Sequence, residues 1–345
     1  MTFPEIVKMA RPQLAREARA TVVCSLLKAW ENCRGRNSSP QEPDFVAALV
    51  IEGASMLWTK WSGILGRHGI RIAVTGIFCH QTPKVNYPGM QGTSCELGDL
   101  LWCHLHTDRR NSTIRNALLY QAKISSRLPY QVPGGDFDQF RLYATWPEFT
   151  YERPRQLKGQ GRSVRPPAAP RRGAQYVLID SRPPEDPRSG LMMRPGTFPA
   201  ASCIPHQTLV DHADLGLELV DSLSLLSGNA FDDRNAASSD RGWSRVVWDL
   251  LEVAANKAFK RVRSGYFRQP RISGAPPEAL DGVAFVTSWR GPYSRVMAEL
   301  LGGEGAGTLF SRLGEGPPPG QEGMWQDEDK EGMSVIVVET FETEE

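Results

Sequence analysis

The sequence predicts an α/β fold with a central mixed sheet, and three observations carry that prediction. Two stretches of helical period open the chain, short apolar runs rich in strand formers follow, and a further helix precedes the last of the early runs. Residues 12–34 place Leu14, Ala18, Val22, Leu26, Leu27 and Trp30 at roughly helical spacing, and Arg34 to Pro40 reads as a loop. A second helix is expected from about Asp44, as N-cap, to Trp61. It is apolar almost all round, so its one interior acid, Glu52, needs a partner once buried.

Arg71 to Cys79 is a strand-like run, followed by a Pro/Gly-punctuated loop to Ser94. Two short buried strands come next, one over the stretch Cys95 to Trp102, which carries Asp99 as the carboxylate at its start, and one from Ala117 to Lys123. Gln121 and Lys123 stand two residues apart and therefore share a face. A Gly/Pro loop from Pro129 to Gly135 leads into a helix over 136–145 that carries Gln139 and Tyr143, four residues apart on one side. Residues 153–174 are Arg, Lys, Pro and Gly with little apolar content, which predicts an exposed or disordered loop. Tyr176 to Asp180 is another buried strand.

Further on, Leu215 to Leu226 and Trp243 to Arg261 are expected helices, while Val283 to Trp289 and Met333 to Thr340 are expected strands, paired with each other. Three regions follow: a helical extension over 1–39, a core over 40–181, and an α+β C-terminal region over 182–345.

The net charge of +1 hides a division. From Asp108 to Gly173, 13 Lys and Arg stand against 5 Asp and Glu, a balance of +8; from Leu313 onward, one Lys stands against 10 acids, a balance of −9. A basic middle suits a phosphate-binding surface, although solvated loops alone would produce it. Six cysteines show no CxxC pair and no zinc spacing, which predicts reduced thiols in a cytoplasmic protein. No 18-residue apolar run and no signal-peptide pattern is present, so no membrane partner is expected.

Asp99, Gln121 and Lys123 bring an acid, an amide carbonyl and an ammonium to strand ends. Such a set suits a hard divalent cation beside a fixed positive charge. The order of elements, with Glu52 on the first long helix, Asp99 on the second strand, Gln121-Ala122-Lys123 on the third and Gln139/Tyr143 on the next helix, resembles the PD-(D/E)XK nuclease superfamily. The QxK form resembles its Mrr-like members, and Gln139 with Tyr143 resembles the QxxxY feature of RecB-like nucleases.

The resemblance covers roughly residues 40–181 and implies a restriction-endonuclease-like αβββαβ core. It implies a Mg²⁺-dependent endonuclease, with Mn²⁺ as substitute, cutting nucleic acid, DNA by preference. Asp99, Gln121 and Glu52 would be metal ligands and Lys123 would assist the chemistry. Gln139, Tyr143, Arg153, Arg155 and Lys158 would meet the nucleic-acid backbone, the first two also bracing the site. Relatives of this architecture act in restriction or antiviral defence, where a partner or second messenger holds the nuclease in check, so a regulatory protein partner or a homo-oligomer is an expected partner. Two departures stand out: Gln121 replaces an acid, a deficit that Glu52 or Glu96 could make up, and no proline precedes Asp99. The rival reading is a nuclease-fold subunit without activity that binds nucleic acid or a protein.

Other motifs have duller explanations. His104 and His106 share a strand face, where ordinary packing is simpler than a metal pair. Tyr143, Trp146, Phe149 and Tyr151 could stack on bases but suit core packing better. Asp211, His212 and Asp214, and the pair Asp232/Asp233, read as helix caps. Gly302 to Gly307 lacks the Gly-Lys-Ser/Thr of a phosphate loop.

Overall fold

The computed structural model describes residues 1–80, 83–126, 128–165, 173–183, 199–210, 212–263, 276–281, 284–288, 296, 300 and 332–343. Helix α1 runs from Phe3 to Gly35, longer than its period suggests because Pro12 lies within it rather than before it. A second helical rod is continuous through α2 (Glu42–Ala48), a π-turn (Leu49–Gly53) and α3 (Ala54–Leu65). Asp44 is not its N-cap but sits two residues inside, where its carboxylate accepts the Gln41 N–H at 2.9 Å.

Strand β1 (Ile70–Ile77) is followed by two short strands, β2 (Lys84–Asn86) and β3 (Cys95–Glu96). Then come β4 (Leu100–Thr107), β5 (Thr113–Ser125) and β6 (Tyr130–Gln131). A 3₁₀ turn (Gly134–Asp136) leads into α4 (Phe137–Thr145), and β7 (Phe149–Tyr151), β8 (Gly161–Arg162) and β9 (Gly173–Asp180) follow.

Downstream lie β10 (Ala200–Cys203), β11 (Thr208–Leu209), β12 (Ala213–Asp214), α5 (Leu215–Leu223) and β13 (Asn229–Ala230). The last elements are α6 (Arg234–Ser238), α7 (Trp243–Arg263), α8 (Pro277–Leu280), β14 (Ala284–Ser288) and β15 (Ser334–Glu342).

The main sheet is mixed, in the order β12-β10-β9-β5-β4-β15-β1-β14, with β13 paired to β5. β4 and β5 are antiparallel, and β5 and β9 are parallel. β15 lies between β1 and β4, antiparallel to the first and parallel to the second. This corrects two expectations. The segments over 284–288 and 334–342 do not pair with each other but flank β1 on opposite sides. The C-terminal region is not a separate α+β unit, because its last strand is central to the sheet that carries 70–180. The apolar run of β15 explains this: a strand buried on both faces must sit inside a sheet.

Side-chain alternation divides the core into two. Leu100, Trp102, Leu118, Tyr120, Ile336 and Val338 face α1, the α2–α3 rod and α5. Leu101, Cys103, Leu119, Tyr176, Val335 and Val337 face α4, α7 and a small sheet of order β3-β2-β7-β8. The Trp61 indole N–H donates to the Leu14 carbonyl at 3.1 Å and pins α3 to α1, so the N-terminal helix is part of the core layer.

The segment after residue 153 is anchored rather than disordered as far as 165. Leu157 and Val164 are buried, and Arg162 pairs with Asp249 of α7 at 2.6 Å. Residues 166–172, the Gly302 to Gly307 motif and most of the acidic C-terminal stretch lie outside the described residues. The six cysteines form no disulfide. No helix among the described residues is long and apolar enough to cross a membrane.

Candidate functional site

One cavity of about 400 Å³ opens at the ends of β4 and β5, lined by Glu42, Pro43, His80, Lys84, Glu96, Asp99, Gln121, Lys123 and Arg153. The two strands place its floor. Leu100 pairs with Tyr120, so Asp99 emerges from β4 opposite the point where β5 continues to Gln121 and Lys123. The Asp99 carboxylate accepts the Ala122 N–H at 2.7 Å, and its own N–H donates to the Tyr120 carbonyl at 2.8 Å. Burial, reinforced by the Glu96 carboxylate, pushes the Asp99 carboxyl up to about 8 despite the Ala122 bond and the Lys123 charge. Among the described residues Asp99 makes no ion pair.

Lys123 takes a different partner, Asp136 at the end of the 3₁₀ turn, 2.8 Å from Nζ. Burial works against the lysine charge, but Asp136 outweighs it, with Asp99 adding, and the ammonium stays above its ordinary value. Gln121 is buried, and its Oε1 accepts from Gln139 Nε2 at 2.6 Å. Gln139 Nε2 also donates to the Glu96 carbonyl at 3.1 Å, and Tyr143 Oη donates to the Leu97 carbonyl at 2.7 Å. Both side chains of the Gln-x-x-x-Tyr pair are therefore spent on bracing. At 4% exposure each, neither reaches a nucleic-acid backbone, which corrects that part of their expected role.

Glu52 is the second correction. It lies half-buried in the π-turn and does not line the cavity. The acid that the rod contributes is Glu42, ten residues earlier and roughly 15 Å back along the helix axis. The rod meets the site with its N-terminus rather than its side. Helical periodicity reports which face of a helix is buried and says nothing of which end approaches a site, so Glu42, ahead of the expected helix start at Asp44, carries no sequence signal.

Arg153 lines the cavity, whereas Arg155 and Lys158 are exposed on the turn beyond it. Lys84, which no sequence pattern marks, reaches the cavity on β2 of the small sheet, and its carbonyl accepts the Arg153 N–H at 3.1 Å.

Comparison with protein families, curated proteins and solved structures finds no match.

The other candidates resolve as packing. His104 and His106 share the Thr340 hydroxyl at 3.1 and 3.0 Å and lie against Phe3. Tyr143, Trp146, Phe149 and Tyr151 are all buried. Asp214 caps α5 through the Leu217 N–H, and Asp233 caps α6. Asp211 lies outside the described residues.

The cavity offers carboxylate oxygens from Asp99, Glu42 and Glu96 and the Gln121 amide oxygen, with the His80 imidazole beside them, and Asp99 makes no ion pair among the described residues. In kind, this fits a hard divalent cation. Among the described residues, however, no three His, Cys, Asp or Glu side chains converge closely enough to hold a metal. A cation there would rest chiefly on Asp99, with Gln121 beside it and water or substrate oxygens completing the shell.

Proposed function

We propose that the protein is a divalent-cation-dependent nuclease, with DNA as substrate. One observation carries the reading: Asp99, Gln121 and Lys123, which the sequence places at two strand ends, line a single cavity with Glu42 and Glu96. The run of elements from the α2–α3 rod through β1, β4, β5 and α4 to β9, with β5 and β9 parallel, supports the resemblance to the PD-(D/E)XK superfamily, β15 being an added strand.

When bound, Mg²⁺ or Mn²⁺ would make an attacking water more acidic and offset charge on the phosphate. Asp99 would anchor that cation, and Lys123, a fixed ammonium on the same wall, would stabilise charge building on phosphate oxygen. Lys84 and Arg153 offer phosphate contacts at the rim without reading sequence. Gln139 and Tyr143 hold the backbone on which Asp99 rests.

Supercoiled plasmid and single-stranded oligonucleotide, incubated with Mg²⁺, with EDTA and with Lys123→Ala, test the reading. Wild type should cut only with the metal, and Lys123→Ala should lose at least about 100-fold, the scale of removing one charge-stabilising donor. Cutting that survives both EDTA and the substitution overturns the mechanism.

A second reading rests on Gln121, whose carbonyl is already engaged by Gln139, and on the lack of a three-acid cluster. It is a non-catalytic subunit that binds nucleic acid or a protein. Binding without cleavage under every metal would select it.

A further inference from the structure

We propose that Asp136 is a positioning residue that holds the Lys123 ammonium away from Asp99 and so keeps that carboxylate open to a divalent cation. The proposal rests on the cation reading of the cavity and assigns a role to a residue outside its lining.

Lys123 has two acids within electrostatic reach. Its Nζ is seated on Asp136 Oδ2 at 2.8 Å, while the Asp99 carboxylate accepts the Ala122 N–H at 2.7 Å and, among the described residues, makes no ion pair. A lysine head is a compact charge on a flexible stem, and in a partly desolvated cavity it moves to the nearest carboxylate. Besides Asp136, the acid whose charge acts on Lys123 is Asp99. An ammonium there would neutralise the acid on which a cation would chiefly rest.

Asp136 cannot follow the lysine, because the element behind it is fixed at several points. The 3₁₀ turn that ends at Asp136 runs directly into α4. Gln139 ties α4 to Gln121 and the Glu96 carbonyl, and Tyr143 ties it to the Leu97 carbonyl. Asp138 accepts the N–H groups of Gln91 and Gly92 at 3.0 and 2.8 Å, and Tyr87 donates to the Asp138 carbonyl at 2.6 Å. One short helix thus sets the backbone before Asp99, the amide of Gln121 and the head of Lys123 together.

Calorimetric titration with Mn²⁺, without nucleic acid, tests this on wild type, Asp136→Asn, Asp136→Glu, Lys123→Gln and the Asp136→Asn/Lys123→Gln double variant. Asp136→Asn should weaken Mn²⁺ binding about tenfold, the scale on which one close opposite charge acts on a carboxylate. Asp136→Glu should recover most of the loss. The double variant should bind as Lys123→Gln does, because no ammonium is left to misplace.

Two results overturn the proposal: an Asp136→Asn variant that binds as tightly as wild type, or a double variant as weak as Asp136→Asn alone. The latter would mark a collapsed loop rather than a displaced lysine. Circular dichroism and melting curves establish that each variant is folded. If wild type takes up no Mn²⁺, the cation reading itself falls and takes this inference with it. If only the variants depart from expectation, the cation reading stands.

Discussion

A single methyl group measures how tightly Asp99 is placed. Gly98 precedes it, and a Cβ there would come within 2.7 Å of Tyr143 Oη and 2.8 Å of Leu119 Cδ1, closer than real side chains approach. The Tyr143 phenol is held by its bond to the Leu97 carbonyl, so it cannot simply retreat. Gly98→Ala should cost about 1–3 kcal/mol in urea denaturation, the usual cost of overpacking a filled core. It should also depress the proposed cleavage beyond what the stability loss explains, because Asp99 moves with the strand end. An unchanged denaturation midpoint would show that this strand end yields freely. Asp99, Gln121 and Lys123 were legible in the sequence because a two-residue period fixes which strand side chains share a face. Glu42 and Asp136 were not, since each reaches the site from the end of a helical element, where local pattern carries no directional signal.

At the scale of elements, β4 carries the clearest consequence for pH. His104 is fully enclosed, and burial, with the neighbouring His106 adding, lowers its pKa from 6.5 to about 3. The native state therefore binds fewer protons than the unfolded chain between those values. Stability is full above about 6.5 and falls as pH drops toward 3, by about 2 kcal/mol at pH 5 from this residue. Urea titrations at pH 7 and pH 5 should show that loss in wild type and a shallower one in His104→Gln, whatever the variant's stability at pH 7. An equal slope would remove His104 as the source. The elements themselves were legible in proportion to their length. The α2–α3 rod, β4, β5, α4 and α7 announced themselves by period, whereas β2, β3, β7 and β8 are two or three residues long, yet they carry Lys84 to the cavity and support Arg153. The basic segment misled for a related reason. Arg162 looked like a solvated cation, but it is buried on Asp249, and that carboxylate also accepts from Arg245 at 2.9 Å.

For the molecule as a whole, the decisive fact is that β15 closes the sheet from the far end of the chain. Val335, Ile336, Val337 and Val338 are buried at 1% exposure or less, and β15 is hydrogen-bonded to β1 on one side and β4 on the other. At about 1.5–3 kcal/mol for each fully buried aliphatic side chain, these four residues represent a stabilisation comparable to the net stability of an ordinary domain. Sequence order concealed this, since a strand run near the end of a chain carries no mark of the neighbours it will take. Two truncations follow from it. A chain ending at residue 331 and a chain spanning 40–181 should both lack a cooperative melt, because each leaves β1 and β4 with open edges facing a gap one strand wide. A synthetic peptide of residues 332–345 should restore cooperative melting to the first and not to the second, which also lacks α1, α5 and α7. A 40–181 fragment that melts cooperatively would show that the site stands on a self-sufficient core and that β15 is an addition at its seam.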